Sequence, residues 1–189
     1  MLDVKYWDRA GEFHGHKCPG LAMGFKAVEG AVEELGLSMD TFPVFDEEIV
    51  CVTENDACAV DAVQCLMGCT YGKGNLIPRL RGKMAFSFFM RPDGPAVRLC
   101  LKPDIWDQED VIGAEAQTEY LISHPYTDLF EVGKPAYELP EEARIFNSQK
   151  CTICGESTAE LFLRLQDGKP VCLDCHRAYQ REGMSQAGM

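Results

Sequence analysis

Residues 55–75 read NDACAVDAVQCLMGCTYGKGN, and the order of elements around them decides the fold. The preceding segment, residues 45–53 (FDEEIVCVT), turns β-branched toward its end and is predicted to be a strand. A helix follows, with Thr53 or Asn55 as its cap and Gly68 as its stop. Beyond it lie two strands, residues 83–90 and 96–101, joined by Arg91-Pro-Asp-Gly-Pro95 with hairpin chemistry. Upstream, residues 5–13 form a short amphipathic helix. A second helix begins at Pro19, with Leu21, Phe25, Val28, Val32 and Leu35 as its apolar stripe. Residues 104–123 are predicted to be largely helical, and residues 139–146 to begin another helix. With no regular alternation of strand and helix, the class is α+β: helices packed on a mainly antiparallel sheet.

The sequence has 46% hydrophobic and 25% charged residues, which suits a globular chain. No apolar run is long enough for a membrane span. The first residues lack the apolar region of a signal peptide, so a cytoplasmic protein is expected. The net charge of −12 argues against binding nucleic acid through phosphates. Against that background, Lys73, Arg79, Arg81, Lys83, Arg91, Arg98 and Lys102 form a basic island interrupted only by Asp93. It reads as a solvated face or as a place for an anionic ligand.

Ten cysteines without a secretory signal point to metal ligands, reactive thiols or core residues. Cys151-x2-Cys154 and Cys172-x2-Cys175 are two knuckles, and four thiolates complete a tetrahedral zinc site. His176 is an alternative fourth ligand. Asp167-Gly168 marks a hairpin between the knuckles, and residues 173–180 look helical. Knuckle, hairpin and ligand-bearing helix resemble a treble-clef finger. So small a module needs its metal to fold. Domains are expected at 1–148, an α+β core, and 149–189, the finger. Residues 151–189 carry four basic and five acidic side chains, which suits protein contact better than DNA reading.

In HGHKCPG (14–20), His14, His16 and Cys18 alternate, and an extended segment would point all three one way. Imidazole and thiolate are transition-metal ligands, and Cys18 precedes a helix, where a thiolate is favoured. In the helix of 55–75, Cys58, Asp61 and Cys65 share a face, with Cys69 beside it. Asp61 needs a partner: a metal, Lys73 or a histidine. Cys51 and Cys100 read as core. The turn Gly68–Asn75 is not a phosphate loop, because its glycine spacing and the residue after Lys73 are wrong. It still lets backbone approach a ligand, with Lys73 supplying charge.

HGHKCPG, the run from Asp61 through GCTYGKGN, and the terminal four-cysteine module together resemble the FmdE family, named for formylmethanofuran dehydrogenase. The resemblance covers nearly the whole chain. It implies an α+β core, a homodimer, and a treble-clef zinc finger of the kind some members carry. It also implies association with a molybdenum or tungsten enzyme of one-carbon metabolism, although members occur where methanogenesis does not. By motif, the cleft residues would be His16, Cys18, Cys58, Asp61, Cys69 and Lys73.

The leading expectation is a zinc-binding accessory protein or subunit. Its cleft would hold a second transition metal or a small anion, through His14, His16, Cys18 and Cys69 together with Cys58, Asp61 and Lys73. A stand-alone enzyme would use Cys58 or Cys18 as nucleophile or metal ligand, Asp61 or a histidine for proton transfer, and Lys73 against negative charge. A zinc-finger regulatory protein is the third reading.

Overall fold

The computed structural model describes residues 2–41, 46–107 and 111–179. The chain divides into two compact units, Met1–Ala143 and Arg144–Met189. The division falls a few residues before the expected one.

In the first unit, α1 (Val4–His14), α2 (Pro19–Glu34), α3 (Ala59–Met67), α4 (Ala114–Ser123) and the single turn α5 (Tyr126–Leu129) accompany one sheet. Its strands are β1 (Ile49–Thr53), β2 (Leu76–Pro78), β3 (Ala85–Met90), β4 (Ala96–Leu101) and β5 (Phe130–Gly133), in the order β2-β1-β3-β4-β5. Only the β1–β2 pair is parallel. Ile49, Cys51, Phe86, Phe88, Val97 and Leu99 face the helices in the main core. Val50, Val52 and Phe89 face the other way, under Tyr137 and Leu139. Covered on both sides, β1 reads as an unbroken apolar run.

Helix α2 lies among α1, α3, α4 and the sheet, and is buried nearly all round. This burial goes beyond the amphipathic stripe of the sequence. It is tolerated because the two charges inside, Lys26 and Glu29, pair with each other, and Glu29 also accepts from the Leu2 N–H at 2.8 Å. Glycines let α3 come close. A Cβ on Gly24 would lie 2.1 Å from the Ala59 carbonyl oxygen, and one on Gly20 would lie 3.0 Å from the Cys58 Cβ.

Several expectations are corrected. Among the described residues of 104–123, only Ala114–Ser123 is helical. Gly113 at φ 90° cannot lie within a helix, and residues 103–106 form a turn. Residues 108–110 and 42–45 lie outside the described residues, so the strand expected from 45 is seen from Ile49. No helix forms over 139–146, where side chains take the backbone groups. Arg91 donates to the Pro140 carbonyl at 2.8 Å, and Glu47 accepts from the Ala143 N–H at 3.2 Å. The cap of α3 is Cys58 rather than Thr53 or Asn55. The Thr53 hydroxyl donates to the Asn55 carbonyl at 2.7 Å, and the Asn55 side chain accepts from the Ala57 N–H.

The second unit holds two short antiparallel pairs. β6 (Ser148–Lys150) pairs with β7 (Ser157–Ala159), and β8 (Leu163–Gln166) with β9 (Lys169–Cys172). Asp167 and Gly168 both have positive φ, 52° and 75°, as the Asp-Gly hairpin signal requires. The helix expected from residue 173 does not form over 173–179. Residues 173–175 turn back on Cys172, whose carbonyl accepts from the N–H groups of Cys175 and His176, and the Gln166 side chain takes the Arg177 N–H. Residues 180–189 lie outside the described residues.

Candidate functional site

Three helix ends meet at one point. His14 is the last residue of α1, Cys18 caps α2 and Cys58 caps α3. His14 offers a ring nitrogen and each cysteine its sulfur, and these three atoms lie within 4.8 Å of one another. The HGH segment is therefore not extended. Gly15, at φ 90°, reverses the chain after His14. The return brings Cys18 back to His14, with Sγ 4.0 Å from Nε2.

His14 is oriented from behind. Its Nδ1 lies 2.7 Å from Oδ2 of Asp61, and Oδ1 of Asp61 accepts from the Gln64 side chain at 3.2 Å. An ionised Asp61 places the ring proton on Nδ1, which leaves the Nε2 lone pair on the cysteine side. Cys18 Sγ accepts from the Leu21 N–H at 3.3 Å, at the positive end of α2. Cys58 is pushed up from its ordinary pKa, first by burial and then by the neighbouring Cys18. Two adjacent thiols resist joint ionisation, and a cation between them removes that cost. One imidazole and two sulfurs with a carboxylate behind the imidazole fit zinc or a similar metal, with a coordination position left open.

The other expected members lie elsewhere. His16 is exposed and leans over the His14 ring, centroids 4.6 Å apart, outside the ligand cluster. Cys69 is a core residue. It is fully buried, donates to the Ile49 carbonyl, and burial pushes its pKa up to about 12. Cys65 is buried and donates to the Arg9 carbonyl at 3.6 Å. Lys73 lines a different cavity of about 570 Å³ with Arg9, Glu12, Gln64 and Thr70. A second cavity, about 280 Å³, borders Asp61 and Asp56 and has the exposed Tyr71 and Leu80 on its rim. The single cleft expected from sequence is thus three neighbouring features. Arg9 and Gln64 had escaped the sequence reading. Gln64 follows Asp61 by three residues, a spacing that could have flagged it.

Much of the basic island is engaged within the fold. Arg98 makes a two-point ion pair with Glu54, at 2.8 and 3.1 Å. Arg79 lies over the Tyr137 ring, and Lys102 donates to the Thr127 carbonyl.

In the second unit, the sulfurs of Cys151, Cys154, Cys172 and Cys175 lie within 4.8 Å of one another. The backbone N–H of Cys172 is the first of several that lower the Cys151 pKa to about 6. Cys175 is pushed up to about 12, first by sharing with the Cys172 thiol. The group loses its protons stepwise unless a cation gathers all four, which suits a structural metal such as zinc. His176 is not in the cluster. Among the described residues, no helix is long and apolar enough to cross a membrane.

Comparison with known proteins identifies the family and the fold. A protein of Archaeoglobus fulgidus named "Probable S-adenosyl-L-methionine-binding protein" is 31% identical over 195 residues, covering 90% of this chain and 52% of that protein. The chain therefore spans about half the length of that relative. The crystal structure of an FmdE-like protein of the tungsten formylmethanofuran dehydrogenase type, from Syntrophus aciditrophicus, superposes with a TM-score of 0.67. That match covers 91% of this chain and 90% of the other at 24% identity, and it speaks for the fold. Residues 13–143 match the family described as "FmdE, Molybdenum formylmethanofuran dehydrogenase operon". That span takes in all three candidate ligands of the core cluster and nearly all of the first unit: the chain belongs to the FmdE family.

Proposed function

We propose that the protein is a zinc-binding, cytoplasmic accessory protein or subunit of a molybdenum or tungsten formylmethanofuran dehydrogenase-type one-carbon redox system. In this reading a transition metal sits in the core on His14, Cys18 and Cys58, and zinc sits on Cys151, Cys154, Cys172 and Cys175. The observation that carries it is the His14–Asp61 contact at 2.7 Å, which aims Nε2 toward two partly exposed thiols. The metal would act there as a Lewis acid with an open position. Asp61 holds the imidazole, and the start of α2 supports the Cys18 sulfur. The protein works as a homodimer beside dehydrogenase subunits, and the family to which it belongs supports this placement.

Metal counting by X-ray fluorescence tests the reading. About two metals per chain are expected, falling to about one in Cys18→Ala or Cys58→Ala. One metal that is indifferent to both changes would remove the core centre. Copurification with tagged dehydrogenase subunits, with the mass measured by light scattering, tests the partners. A lone monomer would defeat that part.

A second reading is favoured by the same contact. Cys18, His14 and Asp61 stand in the order nucleophile, base and orienting acid, as in a thiol enzyme. Alkylation of Cys18 no faster than a free thiol near neutral pH would exclude it. The archaeal relative's name makes S-adenosyl-L-methionine the first organic ligand to titrate against the cavity beside Asp56, Asp61 and Tyr71.

A further inference from the structure

We propose that the cavity between α1, the C-terminal end of α3 and residues 68–73 binds a small oxyanion, a phosphate or carboxylate group, through Arg9 and Lys73. The proposal does not depend on a metal in the core.

The two cations come from segments far apart in sequence and line one space of about 570 Å³. Each is carried by backbone that is held independently of any ligand. The Arg9 carbonyl accepts the Cys65 thiol, which ties α1 to α3. The Lys73 N–H donates to the Thr70 hydroxyl oxygen at 3.3 Å, and the Thr70 N–H donates to the side chain of Asn75 at 2.9 Å. Asn75 is fully buried and donates to the Ile49 carbonyl at 2.9 Å, so the loop is anchored to β1. Such anchoring lowers the ordering cost of binding.

Both charges are felt at the same end of α3. Burial is the main influence on the Cys65 and Cys69 thiols, raising both. Arg9 opposes it at Cys65 and Lys73 opposes it at Cys69, just past the end of α3. Arg9 makes no ion pair among the described residues. Among the described residues, Glu12 is the one carboxylate that lines the cavity beside Arg9 and Lys73. Thr70 adds a hydroxyl, and the arginine fork matches two oxygens of an oxyanion.

The test uses the full metal-loaded chain, titrated calorimetrically with inorganic phosphate and with succinate against chloride at equal ionic strength. Arg9→Gln and Lys73→Met should each weaken binding about tenfold or more, the loss of one charge-assisted hydrogen bond. Glu12→Gln should tighten it, a gain that misfolding does not imitate. Cys18→Ala should leave it unchanged. Binding of phosphate alone assigns a phosphate-bearing ligand, and binding of succinate alone a carboxylate. Binding of neither, affinity equal across the Arg9, Lys73 and Glu12 variants, or loss with Cys18→Ala would overturn the proposal. In the last case the anion sits on the core metal.

Discussion

The Nδ1 of His14 and the Oδ2 of Asp61 stand 2.7 Å apart, although 47 positions separate them in the chain. The contact joins the end of α1 to the first turn of α3 and fixes which imidazole nitrogen faces Cys18 and Cys58. Asp61→Asn keeps the shape and removes the charge that holds the proton on Nδ1. Core metal affinity should fall about 10- to 100-fold, with finger metal unchanged. Competition with a chromogenic chelator measures both, and an unaltered core affinity would deny Asp61 this role.

The two metal groups should respond differently to chelation. The candidate core ligands are placed by packed helices, whereas the described residues of the second unit form two short strand pairs, a single 3-10 turn and one small buried cluster. Strong chelation should therefore open residues 144–189 to proteolysis while 1–143 resists. Cys151→Ser should do the same without chelator. Equal resistance of both units would show that the finger folds without metal.

Thiol reactivity should follow exposure. Cys18 and Cys58 are partly exposed, while Cys51 and Cys69 are buried with raised pKa values. In metal-free protein, mass-resolved alkylation should label Cys18 and Cys58 well before Cys51 or Cys69. Early labelling of Cys69 would return it to the site.

Glu54 and Arg98 predict a pH dependence. The Arg98 hydrogen bond lowers the Glu54 pKa below its ordinary 4.5, against burial. A depressed carboxylate pKa contributes stability above the unfolded value, and that contribution is lost as pH falls through the folded value. Unfolding free energy should therefore drop below about pH 4.5, more steeply in the parent than in Glu54→Gln. Near neutral pH, Glu54→Gln should cost about 2–3 kcal/mol, since it leaves a partly buried guanidinium short of its partner. Denaturant titrations at two pH values measure both effects, and parallel curves would contradict the assignment.

Gly24→Ala should destabilise the first unit by about 1–3 kcal/mol or more, because its Cβ would meet the Ala59 backbone. Thermal unfolding and core metal content should fall together. A stable variant with full metal would show that α3 can move without disturbing Cys58.

The elements that carry their own periodicity were legible in the sequence. Helices α1 and α2, strands β3 and β4 and the Asp167-Gly168 hairpin all formed close to where their residues placed them. β2 and β5 were missed. Each is only a few residues long, one ends in Pro78 and the other in Gly133, and both owe their state to a neighbour strand. At the site, the choice of Asp61, Cys18 and Cys58 came from residue type and spacing. Sending Lys73 and Cys69 to the same place failed for want of distance information. Cys69 follows a left-handed Gly68, which turns it into the core, and Lys73 lies beyond that bend.

The core donors come from three helix ends, and although the short link 15–18 joins α1 to α2, Cys58 arrives only on α3, from a distant part of the chain. The seat forms only once α1, α2 and α3 have docked. A cobalt(II) spectrum of that centre would therefore act as a gauge of tertiary assembly. Its thiolate band would appear in refolding after helical dichroism is already complete, and would fade first when the packing of α2 is disturbed.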